Sequence, residues 1–381
     1  MNVAAAVPDA TLDWLLDGAE PAVRHRALRE LLDRPPDDPE VVAAQVSAMG
    51  APPIADILAA QDPAGWWAAP GSGYLPKYRS SVWQLSFLDQ LGADPGDPRI
   101  RTACEYVLDH VQTSAGGFGA RPHGEAAPPP SAAAHCLNGN LLHALIGFGW
   151  LDDQRVARAI DWQAAAITGD GEIRFFKSSL PGPGFRCGAN GGQPCAWGAT
   201  KAVLALARIS PARRAPHVQR ALDEGLDFLL SRDPAVADYP MGYGQARPSG
   251  SWFRLGFPSG YVADVLQVLE ACCAGGRAAD PRLRPAVSWL LEQQAEPGRW
   301  ANRYPYAGKM LVDIDVPNAP SRWVTLRACR VLKAIADANT DARGLPVSLE
   351  PTTVGRGTVS PGGRPGTARR SGQPARPPRP S

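Results

Sequence analysis

Three stretches decide the fold: Gln61-Asp-Pro-Ala-Gly65-Trp-Trp67, Gln112-Thr-Ser-Ala-Gly116-Gly-Phe118 and Gln294-Ala-Glu-Pro-Gly298-Arg-Trp300. Each reads Gln, three residues, Gly, one residue, then an aromatic ring. A weaker copy, Ile167 to Ile173, keeps Gly171. Aromatic residues on the segments before such turns, Tyr106, Trp162, Phe228 and Trp289, recur at intervals of 56, 66 and 61 residues. A repeat this long marks stacked supersecondary units. Periodic aromatic residues pack one unit on the next, and the glycine permits a tight exit from the preceding helix.

The segments between these turns read as helices. Ala22 to Leu32 places apolar residues at 23, 27, 28, 31 and 32, a helical stripe closed by Pro35 and Pro36. Later segments follow one template: a strongly apolar helix, a polar turn with an Asp, Pro or Arg start signal, then an amphipathic helix. Trp83 to Leu91 thus precedes "GADPGDPRIRTACEYVLDHV", and Ala196 to Ile209 precedes "SPARRAPHVQRALDEGLDFLLS". Strand-type alternation is nearly absent. The expectation is an all-α chain of about five to six helical hairpins over residues 1–343.

Composition narrows the function classes. A formal charge of +2 over 381 residues supplies no basic field, so no nucleic acid is expected. No apolar run reaches the roughly 18 residues of a spanning helix, because Asn138, Asn140 and His143 interrupt the best one. Met1 to Trp14 carries Asp9 and Asp13 without a basic residue, unlike a secretory signal, and seven cysteines suit a reducing cytoplasm. Residues 344–381 read as a disordered Pro/Gly/Arg-rich tail. Residues 351–381 hold six arginines and no acid, so without them the charge falls from +2 to −4. Such a tail suits peripheral contact with anionic lipid.

The repeats resemble the squalene-cyclase and protein-prenyltransferase superfamily, whose QW motif stands here as Trp289-Leu290, Gln294, Gly298 and Trp300. More closely, the chain resembles bacterial prenyltransferase and squalene-oxidase repeat proteins, with QW-like turns over about 50–340. The resemblance implies an α/α toroid around a central apolar cavity. It also implies a terpenoid-cyclase or prenyltransferase-like enzyme acting on an isoprenoid or other lipophilic substrate. The alternative is a non-catalytic toroid that binds a lipid, peptide or protein.

Candidate chemistry falls at inner-helix starts. Cys136 and Cys195 each precede a glycine by three residues (Gly139, Gly198), so they hold equivalent positions in consecutive hairpins. With Cys187 and His135 they make a candidate zinc set; the alternative is small buried hydrophobes, the reading also given to Cys104, Cys272, Cys273 and Cys329. Asp313 and Asp315 match the first and middle positions of the superfamily's DxDD acid motif, with Val316 in the last, which makes them candidate catalytic carboxyls or a solvated loop pair. Trp83, Trp197, Tyr261 and Trp323 are candidate substrate-binding aromatics, although core packing places aromatics at the same positions. Arg79 and Lys201 are candidate diphosphate contacts, beside Lys77, Arg254 and Arg322.

Overall fold

A computed structural model describes residues 7–120, 127–170, 184–237, 239 and 249–343. Contacts divide the chain into two units, Met1–Leu349 and Glu350–Ser381. The tail expected from residue 344 lies outside the described residues, as does Gly171.

Helices are set off by local signals. After α1 (Asp9–Leu16) and α2 (Pro21–Glu30), α3 (Pro39–Met49) starts where the Asp38 carboxylate accepts from Glu40 N at 2.8 Å. Then come α4 (Ile54–Ala59) and α5 (Ser81–Leu91), which ends on left-handed Gly92. The start of α6 (Pro98–His110) is capped by Asp97, at 2.8 Å from Arg99 N. After α7 (His135–Gly147), Asp153 caps α8 (Gln154–Thr168) in the same way, at 2.7 Å from Arg155 N. A side-chain oxygen there satisfies an amide that the first helical turn leaves unpaired. The chain continues through α9 (Ala196–Ala207), α10 (Pro216–Leu230), α11 (Val265–Ala274) and α12 (Arg284–Glu292) to α13 (Arg322–Arg343). Strand structure among the described residues is confined to β1 (Gln294–Glu296) and β2 (Arg299–Trp300), the two sides of the third Gln–Gly–aromatic turn.

Those turns join the hairpins. In the first, the Trp67 indole donates to Ile57 O on α4, and in the third the Trp300 indole donates to Leu290 O on α12, both at 2.7 Å. In all three the backbone N–H of the aromatic residue donates forward to a polar side chain early in an inner helix: Trp67 to Ser81 (3.1 Å), Phe118 to Asn138 (2.9 Å) and Trp300 to Thr325 (3.0 Å). The glutamine amide reaches the first turn of the next outer helix in the first two, Gln61 to Arg99 O and Gln112 to Arg155 O. Glycine is required at Gly65 and Gly116, where φ is +97° and +101° and a Cβ would sit 2.6 and 2.7 Å from a carbonyl oxygen of α6 and α8.

The result is a toroid of two helical layers. Helices α5, α7, α9, α11 and α13 pack in sequence order, and α13 returns to α2. The ring closes where the Arg26 guanidinium of α2 donates to Asp89 O and Gln90 O on α5, at 3.0 and 2.9 Å. Outer helices α6, α8, α10 and α12 each pack on the inner helix of their own hairpin. No helix among the described residues is long and apolar enough to cross a membrane.

The closest inner contact is between α7 and α9. A Cβ on Gly139 would lie 2.5 Å from the Lys201 carbonyl carbon, a contact with backbone that no rotamer change relieves. Gly139→Ala is expected to force the two helices apart and to lower unfolding free energy by about 1–3 kcal/mol, measured by urea denaturation; an unchanged midpoint would contradict this packing.

Candidate functional site

The axis of the ring holds a cavity of about 540 Å³, lined from α2, α5, α7, α9, α11 and α13. In ring order α11 stands opposite α5, so a contact between the segment leading into α11 and α5 has to cross the axis. Residues 255–264 make that crossing. Gln90 of α5 donates to Ser259 O at 2.9 Å and accepts from Ser259 N at 2.7 Å, while Asn140 of α7 donates to Gly260 O at 3.1 Å. Phe257 and Ser259 of this strap line the cavity and form its floor. The Phe257 ring, on the strap, stacks on Trp323 at 4.5 Å and 3°.

The wall is charged, where the resemblance implies an apolar one. Asp89 accepts two hydrogen bonds from Arg208 Nη1, at 2.8 and 3.0 Å, and its Oδ2 lies 2.7 Å from His143 Nδ1. Burial opposes the Asp89 charge, but Arg208 and His143 outweigh it and hold the carboxyl well below its usual range. His143 is pushed down by burial and by Arg208, against the pull of Asp89. Arg208 Nη1 also lies 2.7 Å from His143 Nδ1 and 3.3 Å from Nε2, so Asp89 and Arg208 meet at the same ring nitrogen and together set which one carries the proton. Gly147 makes room for this group, since a Cβ there would meet the Arg208 guanidinium and the Asp89 carboxylate.

Two more clusters continue the wall. Glu30 pairs with Arg26 at 2.7 Å and Arg330 at 3.2 Å. Arg327 pairs with Glu270 through two nitrogens, donates to Gly256 O, and lies 3.7 Å from Asp264. Lys201, buried at the level of the floor, donates to the Gln267 amide oxygen; burial, then the neighbouring Arg327 charge, pushes its ammonium down to about 7.

The residues singled out from sequence separate into four places. Lys201 and Trp323 line the cavity. Trp83, Trp197 and Tyr261 form an aromatic cluster outside the cavity, the two tryptophans 6.3 and 6.0 Å from Tyr261, and Arg79 is exposed. Lys77 sits 5.0 Å from the Tyr261 ring, Arg254 4.7 Å from Tyr304, and Arg322 bonds Asp17. Asp313 is exposed and accepts from Gly308 N, and neither it nor Asp315 lines the cavity. Asp315 accepts from Asn302 and Ser321; burial raises its carboxyl and, after burial, its charge helps raise Glu20 to about 7.

A Cβ on Gly198 would touch His135 Cβ at 3.0 Å, so the starts of α7 and α9, which carry Cys136 and follow Cys195, adjoin. The neighbouring Cys195 draws the Cys187 thiol down, while burial pushes Cys136 up to about 12. His135 instead faces Gln163 on α8, Nδ1 to Nε2 at 2.8 Å, and burial lowers its imidazole to about 3. Among the described residues no group of three or more His, Cys, Asp and Glu side chains is placed to hold a metal ion. The zinc set is therefore not assembled there, and no step is derived through a metal.

Sequence reasoning missed Asp89, Arg208, Glu270 and Arg327, and noted His143 as chemistry only for its nearness to Cys136. A signal was available: each is a charged or titratable residue in or just after a helix that is otherwise apolar, such as Asp89 in "SVWQLSFLDQL" and Glu270 in "VLQVLEACCA".

Lys201 offers a test with a defined sign. The unfolded chain holds the lysine proton up to about pH 10.4 and the folded chain releases it near 7, so this residue makes stability rise with pH between those limits. Across that window the unfolding free energy of the wild type should gain on Lys201→Met by on the order of 2–4 kcal/mol. A difference between the two proteins that stays constant from pH 7 to 10 would contradict a buried, easily discharged amine.

Among solved structures, the chain is similar to type II terpene cyclase MstE from Scytonema in its apo form, with TM-score 0.32 and 14% identity over 78% of this chain and 98% of that one. It is similar also to a variant of that cyclase in complex with geranylgeranyl dihydroxybenzoate, its substrate (TM-score 0.31, 13% identity, 78% and 97% covered). A third is a variant with the product merosterolic acid A (TM-score 0.31, 14% identity, 78% and 97% covered). No protein-family profile and no curated protein matches the sequence.

Proposed function

We propose that the protein is an enzyme that binds an amphiphilic small molecule in the axial cavity, an isoprenoid or other lipophilic chain carrying an anionic head. The observation that carries this reading is the mixed wall. Leu204, Ala207, Leu326, Val331 and the Trp323–Phe257 stack offer apolar surface beside six cationic side chains and four carboxylates. A volume of about 540 Å³ suits a ligand of moderate size. Arg208 and Arg330 keep 31% and 35% of their side-chain surface exposed, so an anionic head can reach them without dismantling their ion pairs. The Trp323 indole N–H is buried with no partner among the described residues, a donor that a polar ligand atom could satisfy.

His143, oriented by Asp89, is the proposed acid–base group, because a hydrogen-bonded carboxylate sets the tautomer and stabilises the imidazolium that forms on proton uptake. The acidic route through Asp315 has less support, since that carboxyl does not line the cavity.

The test is ligand-induced stabilisation of the full chain. Farnesyl diphosphate should raise the melting temperature with the logarithm of its concentration once above Kd, and farnesol should bind at least about tenfold more weakly because it cannot engage the guanidinium groups. Leu204→Trp, which fills the cavity, should abolish both responses. His143→Ala should preserve binding and stop turnover of any substrate found. Binding that survives Leu204→Trp would move the site elsewhere, turnover unaffected by His143→Ala would remove His143 from the chemistry, and binding with no turnover of any bound compound would leave a binding protein.

A further inference from the structure

The chain that floors the cavity also takes part in a surface of a different kind. Residues 74–79 before α5, 254–261 before α11 and 303–309 between β2 and α13 meet there. The Arg303 N–H donates to Leu255 O at 2.8 Å, and the Tyr78 and Tyr306 rings stack at 4.1 Å. A Cβ on Gly260 would lie 2.8 Å from the Tyr306 hydroxyl and 3.3 Å from Tyr78. The three segments carry five exposed cations, Lys77, Arg79, Arg254, Arg303 and Lys309. None of the five lines the cavity, and none pairs with a carboxylate among the described residues. No Asp or Glu occurs in residues 71–80, 249–263 or 301–312. Residues 1–350 carry a formal charge of −4, so apart from these five cations they sum to −9. Half-buried tyrosines lie among the cations: the Lys77 ammonium is 5.0 Å from the Tyr261 ring, and the Arg254 guanidinium is 4.7 Å from Tyr304.

We infer that this basic, tyrosine-bearing face docks on an anionic lipid surface. Lysine and arginine near such a surface are drawn to its phosphates, and no carboxylate among the described residues competes for these five. Tyrosine suits the boundary between headgroup and acyl chain, because its ring is apolar and its hydroxyl polar. A face that concentrates positive charge on an otherwise acidic body also orients the protein as it approaches. Single-stranded nucleic acid fits this face less well, since bases stack on open aromatic rings. Here Tyr78 and Tyr306 cover one another, and Lys77 and Arg254 lie over Tyr261 and Tyr304. The proposal does not rest on what occupies the axial cavity.

Flotation of the full chain with vesicles tests this, using phosphatidylcholine alone or mixed in equal parts with phosphatidylglycerol. The protein should float with the anionic vesicles only, and added salt should release it. The triple variant Lys77→Glu, Arg254→Glu, Arg303→Glu should bind those vesicles at least about tenfold more weakly. Both proteins keep the arginines of residues 351–381, so the difference reports the face and not the tail. If the triple variant does not fold, Arg79→Glu with Lys309→Glu, both exposed, should weaken binding in the same direction. Equal binding to the two kinds of vesicle, binding that the variants leave unchanged, or no binding at all would overturn the proposal. So would a single-stranded RNA oligonucleotide that half-saturates the protein at a lower concentration than the anionic lipid does.

Discussion

The toroid depends on one interaction made three times: the backbone N–H of the aromatic residue in each Gln–Gly–aromatic turn, donating to a polar side chain at the start of an inner helix. Ser81, Asn138 and Thr325 receive it on α5, α7 and α13. The same turn holds the hairpin behind it, where Trp67 and Trp300 return their indole N–H groups to carbonyls ten residues earlier. All these groups are buried, where leaving one unpaired costs about 1–3 kcal/mol. The turn therefore fixes both the spacing between hairpins and the rotation of each inner helix about its own axis.

That rotation decides what faces the centre. An inner helix is buried on all sides, by outer helices, by its neighbours in the ring and by the axis, so sequence periodicity alone does not say which side is which. Once the turn sets the angle, Asp89, His143, Lys201, Glu270 and Arg327 come to the axis, and the packed methyl groups go between helices. The strap then gives the axis a closed end. Gln90 engages both polar groups of the Ser259 backbone across the ring.

The hairpins and their turns were legible in the sequence because they are local and repeated. Gln, Gly and an aromatic ring within seven residues report a turn wherever they occur. The nearness of Cys136 and Cys195 was legible for the same reason, since equal positions in consecutive units become neighbours. The strap was not: the bond between Gln90 and Ser259 joins residues 169 apart, and Phe257-Pro-Ser-Gly-Tyr261 reads as an ordinary loop. The charged wall was hidden differently. Arg208, Arg330 and Lys333 fall near helix ends or on helices with mixed faces, where solvated cations are common. Their carboxylate partners come from other parts of the fold, Asp89 of α5 for Arg208 and Glu30 of α2, far away in the chain, for Arg330.

The wall's composition constrains the chemistry in turn. Each ion drawn from water into a low-dielectric interior carries a penalty of several kcal/mol, offset only by close partners and remaining hydration. A pure hydrocarbon filling this cavity would expel that hydration while offering Asp89, Glu30, Arg208 and Arg330 nothing in return. Every lining carboxylate is already engaged by a cationic partner, and a single aromatic stack is the remaining surface that would favour a carbocation. A ligand with an anionic head replaces lost water by charge-assisted bonds at the guanidinium groups and leaves the apolar stretch of α9 and α13 for its chain.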